Sequence, residues 1–305
     1  MASGKKIYFI VCSQTEKWQP KNWLEQIPEL GVLNNTQSIF LTFKSTLGEA
    51  PKFWAKLAKE IFSHQNDALG FVILHEMDNL LYTSSALSFL LQNQARPITF
   101  TTGHNLFDLH QAELRTNIIH AFHLTQFNLN EIVLVFGNKI FRANQAEYSG
   151  QAGPLAFDAK PEGILGRIDF SVRLFDDQLT KSRGKIKFSE NLNDRIEILD
   201  LSPMVNLKII SKNINSKNGL IINTNNYKVL PHDLTAWLQT QNNLPIIIWS
   251  QPVKNQIVAP KNIIVIDNMT WPTTLTKFMW ALGQTQNLKK IREIMTTNVS
   301  REIFK

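Results

Sequence analysis

The sequence is poor in the features that mark several whole classes of protein. It carries one cysteine, Cys12, in 305 residues. A single thiol excludes an intrachain disulfide framework and fits a reducing compartment. No apolar run reaches the roughly 20 residues that a membrane-spanning helix needs. The run at 7–12, behind Lys5 and Lys6, is too short for a signal-peptide core, and Ser13, Gln14, Thr15 and Glu16 follow at once. A cytoplasmic protein with no membrane partner is therefore expected. There is no internal repeat. His120 and His123 share a helical face, but no third ligand is spaced to match, so no metal is expected. Charge of one sign is only mildly in excess, with 32 Lys+Arg against 25 Asp+Glu and a net charge of +7. The aromatics are not interleaved with a basic stripe, so no nucleic-acid partner is expected.

What is present reads as packed α/β protein. Hydrophobic residues make up 43% and charged residues 19% of the chain, which argues against global disorder. The length is about twice that of a typical domain. Strands are expected at 7–12, 38–43, 69–74, 98–101 and 131–136. Helices are expected at 51–62, where Phe53, Trp54, Leu57, Ala58, Ile61 and Phe62 share one face, and at 109–123. A further helix, capped by Thr83 or Ser84, is expected to run through Leu91. This alternation argues for a parallel sheet covered on both faces. The chain turns polar at about 176–194, where Lys181, Arg183, Lys185 and Lys187 cluster as a solvated face. Strands then resume at 196–201, 219–222, 246–249 and 263–266, with helices at 234–239, 275–282 and 288–295. The Asn- and Lys-rich stretch 211–226 reads as loops around one short strand. The division expected is a domain at 1–178, a linker at 179–194 and a second domain at 195–305.

In open α/β sheets, ligands bind beyond the carboxyl ends of the strands. Two polar clusters fall there: Ser13-Gln14-Thr15 after the first strand, and His75-Glu76-Met77-Asp78 after the third. His75 is expected to satisfy local backbone groups. Cys12 is expected as a small buried hydrophobe. Asp78 reads either as a ligand-contacting carboxylate or as an acid favoured at a helix N-terminus.

The stretch from Gly70 to Asn79 resembles the strand followed by H-G-T-D-T of the asparaginase/glutaminase family. The continuation from Tyr82 to Leu91 is similar to the next helix of the cytoplasmic, type I branch. Arg96-Pro97-Ile98, Thr102-Gly103 and Arg115-Thr116-Asn117 follow. So do Val135-Phe136-Gly137-Asn138-Lys139, Arg142-Ala143-Asn144 and Phe157-Asp158, all in the family's order. Asp267-Asn268-Met269-Thr270, Lys277-Phe278-Met279-Trp280 and Met295-Thr296-Thr297-Asn298 extend the likeness nearly to the C-terminus. The resemblance implies a larger N-terminal parallel-sheet domain and a smaller Rossmann-like C-terminal domain. It implies a homodimer or a dimer of dimers acting on a small amide or amino acid. The reaction implied is hydrolysis of L-asparagine to L-aspartate and ammonia through a threonine nucleophile, without cofactor.

Amide hydrolysis needs a nucleophile, a base and oxyanion donors. By the resemblance, Thr15 keeps the place of the nucleophile and Asp78 that of the amino-group anchor. Ser45 or Thr46 stands near the place of the serine that holds the substrate carboxylate. Five places depart. Ser13 and Gln14 replace two glycines and crowd the pocket. Met77 replaces the second threonine and supplies no hydroxyl. Tyr148 stands near the place of the family's lysine, and an unperturbed phenol is a poor base at neutral pH. No tyrosine follows Thr15 in the short stretch of a closing lid, where Trp18 and Trp23 are the aromatics available. Asn226-Tyr227-Lys228-Val229 replaces the G-S-G-N turn that reaches a neighbouring subunit, so Val229 falls at a substituted family position. The catalytic set is thus incomplete. Weak or redirected amide hydrolysis and non-catalytic binding of a ligand or protein are both expected readings. The amidotransferase relative that frees ammonia for tRNA charging is disfavoured, because that branch keeps both threonines and carries an extra N-terminal barrel.

Overall fold

A computed structural model describes residues 5–13, 23–30, 35–43, 48–106, 108–179, 184–225, 227–250 and 263–304. The chain forms two compact units, Met1–Glu190 and Asn191–Lys305.

The first unit runs β1 (Lys6–Ser13), β2 (Thr36–Thr42), α1 (Ala50–Ser63), β3 (Ala68–His75), α2 (Met77–Leu90), β4 (Leu91–Gln92), β5 (Ile98–Thr101) and α3 (Ala112–Leu124). It continues with β6 (Ile132–Phe136), β7 (Lys139–Arg142), β8 (Ala146–Tyr148), β9 (Phe157–Ala159), β10 (Ile164–Ile168), β11 (Val172–Leu174) and β12 (Lys187–Phe188). Eight strands form one sheet in the order β11-β10-β7-β6-β5-β3-β1-β2. The sheet is not wholly parallel as expected. Its β1, β2, β3, β5 and β6 neighbours pair in parallel, and β7, β10 and β11 extend it antiparallel. The reversal happens at a two-residue turn, where Gly137 adopts φ +58°. Glycine takes that conformation without the steric cost a Cβ brings.

Strand alternation sorts the side chains. Phe9, Val11, Val72 and Leu74 pack with Leu114, Ile118, Ala121 and Phe122 of α3. His75 therefore points to the opposite face, where α1 and α2 pack together. Phe53, Trp54, Leu57, Ala58 and Ile61 are the buried stripe of α1. From Leu80 to Leu90, only Tyr82 of α2 is not buried, and a helix surrounded in this way is a core element.

The expected cap at Thr83 or Ser84 is incorrect. The helix begins six residues before Thr83, at Met77, and both side chains lie inside it and are buried. Thr83 is engaged in a side-chain network described below, so it marks the middle of the helix instead of its start. Within the stretch expected as a linker, Lys187 and Phe188 pair antiparallel with Gln92 and Leu91. Phe188 also stacks on Phe62 with ring centroids 4.8 Å apart.

A buried ion pair closes the antiparallel extension. Arg142 donates to Glu131 from Nε (2.7 Å) and Nη2 (3.2 Å), to the Glu162 carbonyl (2.8 Å) and to the Gln178 carbonyl (2.6 Å). One guanidinium thus ties together four separate parts of the chain.

The second unit contains β13 (Ile196–Asp200), α4 (Leu207–Asn213), β14 (Gly219–Asn223), α5 (His232–Gln239), β15 (Ile246–Trp249), β16 (Ile263–Ile266), α6 (Trp271–Gln284) and α7 (Leu288–Thr296). Its four strands are parallel in the order β13-β14-β15-β16. Helix α4 corrects the expectation of loops at 211–226 for residues 211–213, while the one short strand expected there is β14. Asn206 caps it by accepting from the Lys208 amide at 3.0 Å, and Leu207 and Ile210 pack on the core. Lys277 is fully buried, 2.5 Å from Glu302, and donates to the carbonyls of Met295 (3.1 Å) and Thr297 (2.7 Å). Its role is structural. Among the described residues, no helix is long and apolar enough to cross a membrane.

Replacing Glu131 by alanine leaves the Arg142 guanidinium buried without its counter-charge. A loss of about 3–5 kcal/mol is expected in urea unfolding. A loss under about 1 kcal/mol would show that the pair is not desolvated.

Candidate functional site

The carboxyl end of β3 passes into α2 through one residue, Glu76, which has extended φ/ψ of −60° and 143° and makes no side-chain cap. Glutamate is not among the side chains that stabilise this position. The support comes from His75. Its Nδ1 lies 2.7 Å from the Glu76 carbonyl, and its Nε2 lies 3.0 Å from Thr83 Oγ1. Trp54 Nε1 donates to that same hydroxyl at 3.1 Å.

The groups at the two ends of this chain have one permitted role each. The indole can only donate, so Thr83 accepts from it and turns its own proton to His75. A carbonyl can only accept, so Nδ1 carries the imidazole proton and Nε2 is the acceptor. The ring is neutral. It is fully buried, stacks on Phe43 at 5.4 Å, and has Phe53 and Phe100 rings 6.1 and 6.3 Å away. That apolar surround lowers its pKa to about 4, against the opposing effect of the Glu76 hydrogen bond.

The next carbonyl is held from another direction. Strand β8 carries Tyr148 to α2, and its hydroxyl donates to the carbonyl of Met77. The ring packs on Phe157 at 5.0 Å, and β8 and β9 pair at these two residues. Although 45% of the side chain is exposed, the hydroxyl end is desolvated against α2. That burial, with Asp78 and Tyr82 nearby, raises the phenol well above its ordinary value of 10.0. Tyr148 is thus a neutral donor at neutral pH and not a base.

The structure therefore brings together Met77, Asp78 and Tyr148, which lie 71 residues apart at the extremes. Asn117 braces the same end of the sheet. It is buried, donates to the Thr102 carbonyl at 2.9 Å and accepts from the Gly137 amide at 3.0 Å. His120 Nδ1 donates to the Gly137 carbonyl at 2.9 Å. Three of the sequence motifs, at 102–103, 115–117 and 135–139, meet in this one buried amide.

Other expected residues are placed as follows. Ser13 and Cys12 are buried at the end of β1. Burial and the charge of Glu76 push the Cys12 thiol far up, so it is no thiolate nucleophile. Gln14, Thr15, Trp18, Ser45 and Thr46 lie outside the described residues. Val229 is 78% exposed in the second unit. Among the described residues, no three His, Cys, Asp or Glu side chains converge as a metal site. Sequence reasoning missed Trp54 and Thr83 as parts of the junction. Both carry polar atoms on otherwise buried helix faces, which is the signal that would have singled them out.

The chemistry available at this end is a carboxylate at position 78, a neutral phenol and a methionine. It offers an anchor for an amino group. Met77 and Tyr148 offer neither a hydroxyl nucleophile at position 77 nor a base.

Fold and site together define a two-domain α/β protein with a polar cluster at the carboxyl ends of its parallel strands. A family model described as asparaginase, N-terminal, matches residues 9–180, and the chain belongs to the asparaginase family. It is 24% identical to an L-asparaginase of Thermococcus kodakarensis, over 86% of this chain and 84% of that one. It is 25% identical to L-asparaginase 1 of Escherichia coli K12, over 83% and 80%. It is also 22% identical to a glutamyl-tRNA(Gln) amidotransferase subunit from Pyrococcus horikoshii, over 91% of this chain and 69% of that one. Among solved structures, L-asparaginase I of Vibrio cholerae has the same fold, with a TM-score of 0.80, 20% identity and coverage of 99% and 100%.

Two outcomes follow from the junction. His75 is held neutral, with its folded pKa below the ordinary 6.5. Its contribution to stability is complete above pH 6.5 and is lost as pH falls from there to about 4. That window spans on the order of 3 kcal/mol. The difference in urea midpoints between wild type and His75→Asn should shrink across it, whereas a constant difference would contradict a neutral buried ring. Tyr148→Phe keeps the ring and removes one hydrogen bond. It should cost about 0.5–1.5 kcal/mol in thermal unfolding, and no change would mean that water replaces the bond.

Proposed function

We propose that this chain holds a small amide or amino acid beyond the carboxyl ends of β1 and β3. We further propose that the family reaction, hydrolysis of L-asparagine to L-aspartate and ammonia, is weak here or turned to another small amide. The observation that carries this reading is the engagement of Tyr148. Its phenol is neutral and donates to the Met77 backbone, where amide hydrolysis would call for a base beside a hydroxyl. In this reading Asp78 anchors an amino group and Thr15 is the nucleophile for whatever turnover remains. Ser45 or Thr46 meets the carboxylate. The reading includes a cytoplasmic protein working as a homodimer or dimer of dimers, without cofactor. The same observation favours a second reading, a non-catalytic relative that binds a ligand or a protein on this scaffold.

Ammonia release should be followed with L-asparagine, L-glutamine and a panel of small amides, for wild type beside Thr15→Ala. Slow turnover that disappears in the variant supports the amidohydrolase. Ligand-dependent thermal stabilisation without ammonia supports the binding protein. Fast L-asparagine turnover that survives in Thr15→Ala would contradict both.

A further inference from the structure

We propose that Trp54, Thr83 and His75 form a positioning chain that sets the backbone of residues 76–78 from within the core. This deepens the proposed function, resting on it for the claim that these residues face a ligand, but the geometry stands without it. The strand-to-helix junction has one residue and no side-chain cap. The first carbonyls of the helix accept from amides one turn on, and each has a second lone pair that an outside donor can take. Two side chains reach them. His75 Nδ1 donates to the carbonyl of Glu76, and the Tyr148 hydroxyl to the carbonyl of Met77. Successive peptide units at the start of α2 are thus gripped by donors from different elements.

The two grips differ in origin. Tyr148 comes from β8, and its side chain is partly open to solvent. His75 is held from behind, in a fully buried line that begins on α1 with Trp54, crosses Thr83 in the second turn of α2, and returns to the end of β3. A histidine next to its own carbonyl acceptor has rotational freedom unless its far nitrogen is held. Thr83 holds it, and Trp54 biases the orientation of the Thr83 hydroxyl by donating to one of its two lone pairs. The direction of the protons in the line is set from both ends, by the indole that only donates and the Glu76 carbonyl that only accepts. Thr83 and Trp54 are positioning residues. They act through His75 on the peptide that precedes Met77 and Asp78, and not on a ligand.

In an α-helix the amides of Leu80 and Leu81 bond back to the carbonyls of residues 76 and 77. They report the two grips separately. The test is made on the full-length protein, by nuclear magnetic resonance, in wild type, Thr83→Val, Thr83→Ser and Tyr148→Phe. In wild type, His75 should show the Nδ1–H neutral tautomer in its two-bond proton–nitrogen correlations. In Thr83→Val the Leu80 amide should exchange about tenfold faster relative to the Ile73 amide of β3, with a smaller effect at Leu81. In Tyr148→Phe the order should reverse. Thr83→Ser should restore the Leu80 rate, because it returns the hydroxyl without the methyl. If Thr83→Val does not fold, Trp54→Phe takes its place, with an expected severalfold rise at Leu80 alone.

An Nε2–H or charged His75 in wild type would overturn the proposal. So would a Leu80 rate unchanged in the tested variant, or a Thr83→Ser protein that behaves like Thr83→Val. L-asparagine binding, followed on the same samples by amide shifts at 77–79, separates this proposal from the reading it deepens. If the exchange pattern holds and no L-asparagine binds, the positioning chain stands and the choice of ligand falls.

Discussion

The hydrogen bond from His75 Nδ1 to the carbonyl of Glu76 lets the chain turn from a central strand into a buried helix within one residue. Much of the first unit is arranged around that turn. The imidazole makes this bond as a neutral ring, because a pocket of Phe43, Phe53 and Phe100 desolvates it. Neutrality creates a second demand, a donor for Nε2, which Thr83 meets with its own proton while its oxygen accepts from Trp54 of α1. A polar line runs through an apolar core without an unmet group, which is the condition under which such lines are tolerated.

The chemistry of the site follows from the same economy of donors. The resemblance implies a hydroxyl and a carboxylate at the end of the third strand, with a lysine brought to them from near position 148. Here the carboxylate of Asp78 remains, the hydroxyl position is Met77, and the group brought in by β8 is a phenol bonded to the backbone. Tyr148 thus takes a structural task at a place where the resemblance implies a catalytic one. Asn117 and the Gly137 turn keep the neighbouring strand ends in place, and they bind each other instead of a ligand. At β3 and β8, the His75 imidazole and the Tyr148 hydroxyl are both engaged by backbone carbonyls.

Much of the fold is legible in the sequence because its strands are short, apolar and bounded by turn residues. The expected strands at 98–101, 246–249 and 263–266 coincide with β5, β15 and β16. What escapes is set by side chains acting over distance. The start of α2 is invisible because its support is a histidine that precedes it and a tyrosine 71 residues on, while the capping residues Thr83 and Ser84 are taken inside the helix. Helix α4 has seven residues, too few to show a period in a stretch rich in Asn and Lys. The antiparallel strands β10 and β11 lie between the two carbonyls that Arg142 reaches, a contact no local pattern announces. Of the candidate site, the nearness of Met77, Asp78 and Tyr148 is legible only through the family resemblance, since nothing in their own surroundings joins them.

The central claim is that Tyr148 is a neutral donor to the helix backbone and not a base. Spectrophotometric titration tests it most directly, since the chain has four tyrosines and Tyr148→Phe isolates one. The difference between wild type and variant in tyrosinate absorbance gives the ionisation of Tyr148 alone. This phenol should ionise well above pH 10. Ionisation near neutral pH would contradict it and would return Tyr148 to the role of a catalytic base.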